Sequence, residues 1–446
     1  MPTCIIARRS SFVTAAGFAA LLTAFLAAHS LADGPPRPAT LTDVGAPLTL
    51  DAAVRMALLQ NPEIIAARQD HGVAAAAVMV ARAYPFNPVW ESRARYAFGS
   101  EIAGIFNHEP VENTVLLEVE IRGQGKYRKA AATAALSRTD WDVANQETAL
   151  AVRVIRAFDG VIYRYQKIQL LSDTLALDKG LANLAPDLVR AGKLHPVDVI
   201  LLRSEIDDVR AQFGMGRTGL AQAWSELRAA LGVVGGPAFD LQGDLSPPPL
   251  PTEPAPVLAQ VGRERRADRH AREAAVAEAD ARLRLERANR FGNPTVGPTY
   301  EYDNAAANNL GVIASLPLPV LNAHRGDILQ REAEKTRAVL DLHTTDVLID
   351  QEVEAALARL KHAQAWADTY ENDVLPNLEK SLREVRELFA SGDASVDALR
   401  ILDIQRKVLM ARNGLLDAQF EVRQAVADLA AALGDPSVAV GPCPAP

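Results

Sequence analysis

The stretch NTVLLEVEI, residues 113–121, has the alternation of a β-strand with one apolar face. Its apolar side chains, Val115, Leu117, Val119 and Ile121, alternate with Leu116, Glu118 and Glu120. Successive side chains of a strand point to opposite faces, so this spacing separates the two sets. A segment of about 9–12 residues is long enough to cross a membrane as a strand. The spacing predicts that Leu117 faces lipid and Glu118 faces water.

Three further segments carry the same alternation. The first, residues 87–99, sets Trp90, Ala94, Tyr96 and Phe98 against Glu91, Arg93 and Arg95. Two more strands are predicted near residues 293–303 and 308–319, again with an apolar and a polar set. Soluble β-hairpins with one face on a core are the alternative. The charged sets favour strands whose polar face lines a water-filled lumen.

The strand pairs belong to an internal duplication. Asn87-Pro88 opens one pair and Asn293-Pro294 opens the other about 206 residues later, and Leu-Gly pairs at 231–232 and 433–434 close the two copies. A period this long indicates a repeated half-molecule. We predict a first repeat at residues 33–246, a proline-rich linker at 247–256, a second repeat at 257–434 and a C-terminal tail at 435–446.

Very long helices follow each strand pair. We predict helices at residues 126–190 and 197–232 in the first repeat, and at 324–391 and 394–433 in the second. The first would extend roughly 100 Å at about 1.5 Å per residue. Apolar residues recur along it every three or four positions, as in a coiled-coil seam: Leu150, Val154, Phe158, Val161, Tyr165, Ile168, Leu171 and Leu175, then Val374, Leu378, Leu382, Val385 and Phe389 in the second copy. Such rods must pack against other long helices, from this chain or from copies of it.

The N-terminus predicts export. Residues 1–32 contain Arg8-Arg9, an apolar run and a small-residue cleavage site ending at Ala32, which is typical of a secretory signal peptide. An uncleaved anchor helix is the alternative, because the run is near the lower limit for a membrane span. Cleavage would leave Cys443 as the only cysteine, which precludes an intrachain disulfide. It would also take the net charge from −8 to −10, and this balance argues against a nucleic-acid partner.

Four strands per chain are too few to enclose a useful channel. An open sheet edge in lipid would leave backbone groups unpaired, at several kcal/mol each. The sequence therefore predicts a barrel shared between chains.

The order of these features resembles the TolC-type outer-membrane efflux channels. The resemblance covers essentially the mature chain and rests on LTLDAA at 48–53, NPE at 61–63, RGQGK at 122–126, the paired strands and the two helix-breaking turns. LPLPVLN at 316–322, followed by RGDI at 325–328, is most like the cobalt-zinc-cadmium branch. The resemblance implies a mainly α protein with a small β part. Three copies would each give four strands to one outer-membrane β-barrel, within the known size range, above a periplasmic α-barrel of long coiled-coil helices.

The resemblance also implies a function. Such channels are passive exits, joined through a periplasmic adaptor to an inner-membrane pump, here expected to be proton-driven. Divalent heavy-metal cations are the first hypothesis for the cargo, and organic drugs are the second. An exported coiled-coil interaction protein, a pump adaptor and a periplasmic enzyme are competing classes. The sequence displays no nucleophile, paired-carboxylate site or zinc-ligand spacing, so we expect no enzyme activity, cofactor or resident metal.

The helix-breaking turns are the candidate functional sites. In the resemblance, Gly192 and Gly392 fall at the periplasmic tips, where His195 and Asp393 would also contact the adaptor. Glycine has an independent explanation as a helix terminator. Asp397, and more weakly Asp198, would form threefold rings of carboxylates at the entrance that favour cations. The alternative for each aspartate is an ordinary stabilising charge at a helix N-terminus. The family's gate-locking tyrosine and arginine are not both matched, since Phe389 and Ala394 hold the comparable places.

Overall fold

The computed structural model describes residues 47–95, 110–190, 195–235, 240–249, 251–302, 307–320, 322–390 and 398–440. The helices are α1 Leu50–Gln60, α2 Pro62–Arg82, α3 Gln124–Arg190, α4 Pro196–Leu231, α5 Ala255–Arg265, α6 Ala267–Asn289, α7 Arg325–Thr369, α8 Leu375–Ala390, α9 Ala398–Leu433 and α10 Ser437–Val440, with a π-helical turn at Tyr370–Val374. The strands are β1 Leu48–Thr49, β2 Val89–Ala94, β3 Val111–Glu118, β4 Leu241–Gln242, β5 Thr295–Tyr302 and β6 Asn308–Ser315. Within these ranges, no helix combines the length and apolar character that a membrane span requires.

The order of elements is the same in the two halves of the chain. Each half gives a pair of helices, a strand pair, a long helix and a returning helix. The bend between the paired helices has nearly the same backbone geometry in both, with φ −65° and ψ 122° at Asn61 and φ −66° and ψ 124° at Arg266. Each bend contacts the glycine that ends the returning helix of its own half. A Cβ on Gly232 would lie 2.7 Å from the Asn61 Cα, and one on Gly434 would lie 3.0 Å from the Arg266 Cγ. Both glycines also have positive φ, which other residues adopt at a cost.

The four longer strands form one antiparallel sheet in the order β2-β3-β5-β6. The hairpins of the two halves therefore meet where β3 pairs with β5. The register places Trp90 opposite Val115, Leu117 opposite Val296, and Tyr300 opposite Leu310. Because side chains alternate along a strand, these pairings put the apolar sets of all four strands on one face, as the alternation predicts: Trp90, Ala94, Val115, Leu117, Val296, Pro298, Tyr300, Tyr302, Leu310, Val312 and Ala314.

The core lies between the long helices. Helix α3 packs against α2, α4, α6 and α9, and α7 packs against α6 and α9. The seam predicted in α3 is buried at most of its positions, including Leu150, Val154, Phe158, Val161 and Leu171. Tyr165 is the exception in the single chain: it is exposed, whereas Tyr163, two residues earlier, is buried and stacks on Phe420. In the second copy, Val374, Leu378, Leu382 and Val385 are half-buried, and the Phe389 side chain lies outside the described part of the structure.

Prolines explain two differences from the predicted boundaries. The helix predicted at 324–391 begins at Arg325 and widens into the π-helical turn Tyr370–Val374. Pro376 follows that turn, and a proline ring conflicts with the carbonyl four residues earlier in an α-helix, so a wider turn relieves the conflict. The proline-rich segment 247–256 runs into α5, which begins at Ala255. Pro256 lies in the first turn of that helix, where a missing N–H costs nothing.

Candidate functional site

The sheet exposes a largely apolar face, on which Ser92, Asn113 and Asn308 are the polar positions. Among the large side chains on it, Trp90 is 70% exposed, Leu310 84% and Val312 80%. The opposite face carries polar contacts, such as the Thr114 Oγ1 to Thr299 Oγ1 hydrogen bond of 3.0 Å. Exposed apolar patches of this kind mark surfaces that contact a membrane or another protein.

A hydrogen-bonded network joins the sheet to the long helix. Gln124 is buried at the start of α3, and its Nε2 donates to Asn293 Oδ1 at 2.6 Å. Asn293 Nδ2 in turn donates to Glu118 Oε1 at 2.9 Å. The turn before α3 uses Gly123, whose φ is +73°. The RGQGK motif of the first half and the Asn-Pro motif of the second half thus meet at one point.

Beyond the end of β3, Glu120 differs from its sequence assignment. The alternation continues to Ile121 and places Glu120 on the polar face of a strand. In the structure the strand ends at Glu118, and Glu120 pairs with Arg128 of α3, with 10% of its side chain exposed. Tyr84 also holds the segment, since its hydroxyl donates to the Glu118 carbonyl at 2.7 Å and accepts from the Glu120 N–H at 3.0 Å. Glu120 therefore fixes the strand to the helix and does not face a lumen.

The start of α4 contains two of the predicted tip residues. Asp198 lies in the first turn, and its Oδ2 accepts a hydrogen bond of 2.9 Å from the His195 backbone N–H. This contact satisfies a backbone donor at the helix start, which is the alternative role considered for Asp198. His195 is exposed. The other predicted tip and entrance residues, Gly192, Gly392, Asp393 and Asp397, lie outside the described residues, as does Ala394.

An apolar stripe lies in the first turns of α4. Val197, Ile200 and Leu201 are all exposed, and their spacing of three and four residues puts them on one side of the helix. The stripe adjoins His195, where α3 has ended and α4 begins. This end of the two helices is the one farthest along the chain from the sheet. The sequence pattern alone does not show this stripe, because the exposure of a side chain depends on packing.

A carboxyl with a perturbed pKa lies in the last third of α3. Asp178 is buried, and burial, with the nearby Glu205 carboxylate as the second cause, raises its pKa to about 6. Glu205 on α4 lies 3.7 Å from Arg406 Nε on α9. The meeting place of α3, α4 and α9 therefore carries a group that titrates in mildly acidic conditions.

A buried ion pair joins the two halves in the middle of the helical region. Arg423 on α9 donates through Nε and Nη2 to the Asp159 carboxylate on α3, at 3.0 and 3.1 Å. Both side chains are almost fully buried. Burial raises the pKa of Asp159, and Arg423 opposes that shift. Asp428 adds a more exposed connection, because it pairs with Arg156 of α3 and with Arg359 of α7.

Within the described residues, the structure brings together a group of potential metal ligands that are too far apart in sequence to be recognised from the sequence alone. Atoms of Glu286, His324 and Asp327 lie within 4.8 Å of one another. Glu286 is 38 residues before His324 in the sequence, and only the packing of α6 against α7 makes them neighbours. The two ligands at close spacing, His324 and Asp327, fall in the segment that carries the branch resemblance.

Comparisons with known proteins agree with this architecture. The family described as outer membrane efflux protein matches residues 53–233 and 258–435, one stretch in each half. The cobalt-zinc-cadmium resistance protein CzcC of Cupriavidus metallidurans is 24% identical over 393 residues, covering 88% of this chain and 91% of that protein. The crystal structure of CusC superposes with a TM-score of 0.71 at 19% identity, over 86% of this chain and 92% of CusC. The open state of the MtrE outer membrane channel of Neisseria gonorrhoeae gives a TM-score of 0.67 at 17% identity, over 91% of this chain and 96% of MtrE.

Proposed function

The chain belongs to the outer membrane efflux protein family, and we propose that three copies of it form the exit duct of a tripartite export system. The family comprises passive outer-membrane channels, and enzymes are not among them. In this proposal an inner-membrane pump driven by protons delivers cargo through a periplasmic adaptor. The duct then carries the cargo across the periplasm and the outer membrane.

The exposed apolar face of the sheet is the observation that carries the proposal. Within the described residues, β2 and β6 each pair with a strand on one side only, and both present large exposed apolar side chains on the same face. Lipid does not tolerate open sheet edges. Pairing β6 of one copy with β2 of the next would close about twelve strands from three chains. The apolar face would then contact lipid, and the polar face would line the lumen.

The apolar stripe at the start of α4 supports an adaptor at the opposite end. Helix α3 begins beside the sheet and reaches Arg190 after 67 residues, so α4 starts far from the membrane-facing strands. Val197, Ile200 and Leu201 would give an adaptor an apolar contact there. We propose that Gly192, Gly392, His195 and Asp393 belong to the same docking surface.

Divalent heavy-metal cations are the proposed cargo. The similarity to CzcC, a cobalt-zinc-cadmium resistance protein, supports this class. An entrance ring of Asp397 carboxylates, with a smaller contribution from Asp198, would concentrate cations by its negative potential. The hydrogen bond from His195 to Asp198 gives Asp198 a second role at the helix start, which is why we assign it the smaller part.

Gene deletion tests the cargo. The deletion strain is compared with the wild type for tolerance of cobalt, zinc, cadmium, copper and a drug panel, with plasmid-borne wild-type gene as the control. We expect sensitivity to metals with unchanged drug tolerance. The reverse pattern would reject metal export and leave the channel assignment standing. A heat-modifiable trimer in outer-membrane fractions tests the assembly itself, and recovery of the protein only from the soluble periplasm would reject it.

Planar-bilayer recordings test the entrance ring. Asp397→Asn removes three charges per trimer at nearly constant size, so the channel should become less selective for cations. Asp198→Asn should act in the same direction but more weakly. Asp208→Asn, an exposed position farther along α4, is the matched control and should have little effect. Exposed charges are screened over about 8 Å at physiological salt, so the differences should shrink as salt rises. If reversal potentials at low salt are the same in wild type and both variants, neither aspartate sets selectivity.

A further inference from the structure

Three potential metal ligands meet where α6 ends and α7 begins. His324 Nδ1 lies 3.2 Å from Glu286 Oε1 and 3.1 Å from Asp327 Oδ2. The three side chains belong neither to the sheet faces nor to the start of α4, and they take no part in the buried ion pair of Arg423. Their proximity therefore has no explanation in the channel function proposed above.

The charges of this cluster are unequal without a cation. Two carboxylates face one imidazole nitrogen, and that nitrogen carries at most one hydrogen to donate. Even a protonated His324 offsets only one of the two negative charges. Glu286 is the less accessible carboxylate, with 19% of its side chain exposed. A divalent cation placed between the three atoms would neutralise both carboxylates.

Two of the neighbouring arginines, Arg287 and Arg331, are engaged with other acidic groups. Arg287 follows Glu286 on α6 but pairs with Glu332 at 2.6 Å. Arg331 lies one turn beyond Asp327 on α7 and pairs with Glu334 at 2.7 Å. These contacts direct two nearby positive charges toward other partners.

The distances suit a transition metal. Zinc binds imidazole nitrogen at about 2.0–2.1 Å and carboxylate oxygen at about 2.0–2.2 Å, so ligand atoms of a tetrahedral site lie about 3.3–3.5 Å apart. The two contacts of His324, at 3.1 and 3.2 Å, need only small side-chain movements to reach that spacing, and the two carboxylate oxygens lie within 4.8 Å of each other. One nitrogen and two oxygens suit Zn²⁺ or Co²⁺ and leave a fourth position for water.

The backbone holds the imidazole in place by an uncommon conformation. His324 has φ 53° and ψ 28°, in the left-handed region that non-glycine residues rarely adopt. Asn322 Oδ1 accepts a 3.0 Å hydrogen bond from the His324 N–H and supports this turn. Asparagine also tolerates the left-handed region, so a His324→Asn variant can keep the turn while removing the imidazole.

We propose that Glu286, His324 and Asp327 bind one divalent transition-metal cation per chain, which fastens the start of α7 to the end of α6. The segment that connects β6 to α7 would thereby be anchored to the neighbouring helix. The inference does not depend on what the channel exports.

Zinc binding to the purified full-length protein tests the site. After removal of metal with a chelator, calorimetric titration with Zn²⁺ should give one equivalent per chain, and Co²⁺ should give visible absorption bands of a low-coordinate complex. His324→Asn and Glu286→Gln should each weaken Zn²⁺ binding at least about tenfold. His343→Asn, at an exposed position of α7, is the matched control and should bind as the wild type does.

Thermal unfolding gives a second measurement that separates metal binding from folding. Zn²⁺ should raise the Tm of the wild type and of His343→Asn, because a ligand that binds only the folded state stabilises it. It should leave the Tm of His324→Asn unchanged. Wild-type Zn²⁺ affinity in His324→Asn, or the absence of a stoichiometric site in the wild type, would overturn the proposal. Neither result would affect the trimer or susceptibility tests of the channel itself.

Discussion

The two faces of the sheet can be distinguished by one substitution made at neighbouring positions of β6. Val312 lies on the apolar face and Ile313 on the polar face, and both are β-branched aliphatic residues of similar size. Val312 is the fifth residue of the eight-residue strand β6 and pairs with Pro298, which places it near the middle of the strand's length. Arginine at either position adds the same charge and the same bulk. The outcome then depends only on what each face contacts.

The expected cost follows from the depth of the position. Arginine on the lipid face of an outer-membrane barrel costs about 2–4 kcal/mol at the bilayer midplane. Val312 is 80% exposed in the single chain, so no residue that the structure describes shields an arginine there from lipid. This cost lowers the folding equilibrium of each chain about 30- to 700-fold, and a trimer contains three copies. Ile313→Arg would face water in the lumen, where the penalty is absent.

The assay is the yield of heat-modifiable trimer in outer-membrane fractions at matched expression. We expect Val312→Arg to reduce the trimer strongly and Ile313→Arg to leave most of it. Equal yields from the two variants, or a larger loss with Ile313→Arg, would refute the assignment of the apolar face to lipid.

Three further substitutions test the helical region of the purified channel. Arg423→Met should lower stability by about 3–5 kcal/mol in thermal unfolding, because it leaves the buried Asp159 carboxylate without its partner; a change below about 1 kcal/mol would show that the pair is not fully buried in the assembled channel. Gly232→Ala should lower the Tm more than Gly235→Ala, since both glycines have positive φ but only the first would place a Cβ against another segment, and equal losses would remove the packing argument. Asp178→Asn should raise the Tm at pH 7.5, because folding raises the pKa of this carboxyl to about 6 and its charged form therefore destabilises the folded state above that pH. The gain in Tm should vanish as pH falls from about 6 to 4. A gain that grows in acid would contradict the raised pKa.

The strand faces were predictable from the sequence because their signal is local. Alternation along one strand depends on backbone geometry alone, so Trp90, Val115, Tyr300 and Leu310 could each be assigned to an apolar face before any pairing was known. The pairing of β3 with β5 then put all four sets on the same face. What the alternation could not give was the end of β3, since Glu120 continues the pattern but is held by Arg128 of a different element.

Contacts between segments distant in sequence could not be predicted, because no local pattern signals them. The pairing of Asp159 with Arg423 joins residues 264 positions apart, and each residue alone resembles an ordinary helix surface charge. Glu286 became a partner of His324 only through the packing of α6 against α7. The seam prediction also assumed one continuous buried stripe, but in the single chain Tyr165 is exposed, and it is Tyr163 that is buried and stacks on Phe420.

The contacts between the halves occur at successive levels of the molecule, and this arrangement limits what each half can do alone. At the sheet, β3 and β5 share a ladder. Just below it, Gln124 of the first half bonds to Asn293 of the second. In the middle of the helices, Asp159 and Arg423 form a buried pair that would leave an uncompensated charge if the halves separated. Either half alone would expose two strands with a long edge and an apolar face, and isolated two-stranded hairpins are marginal in water. The repeated element order therefore serves one four-stranded unit. In the proposed assembly, its edge strands within the described residues, β2 and β6, would pair with further copies of the chain to close the sheet in lipid.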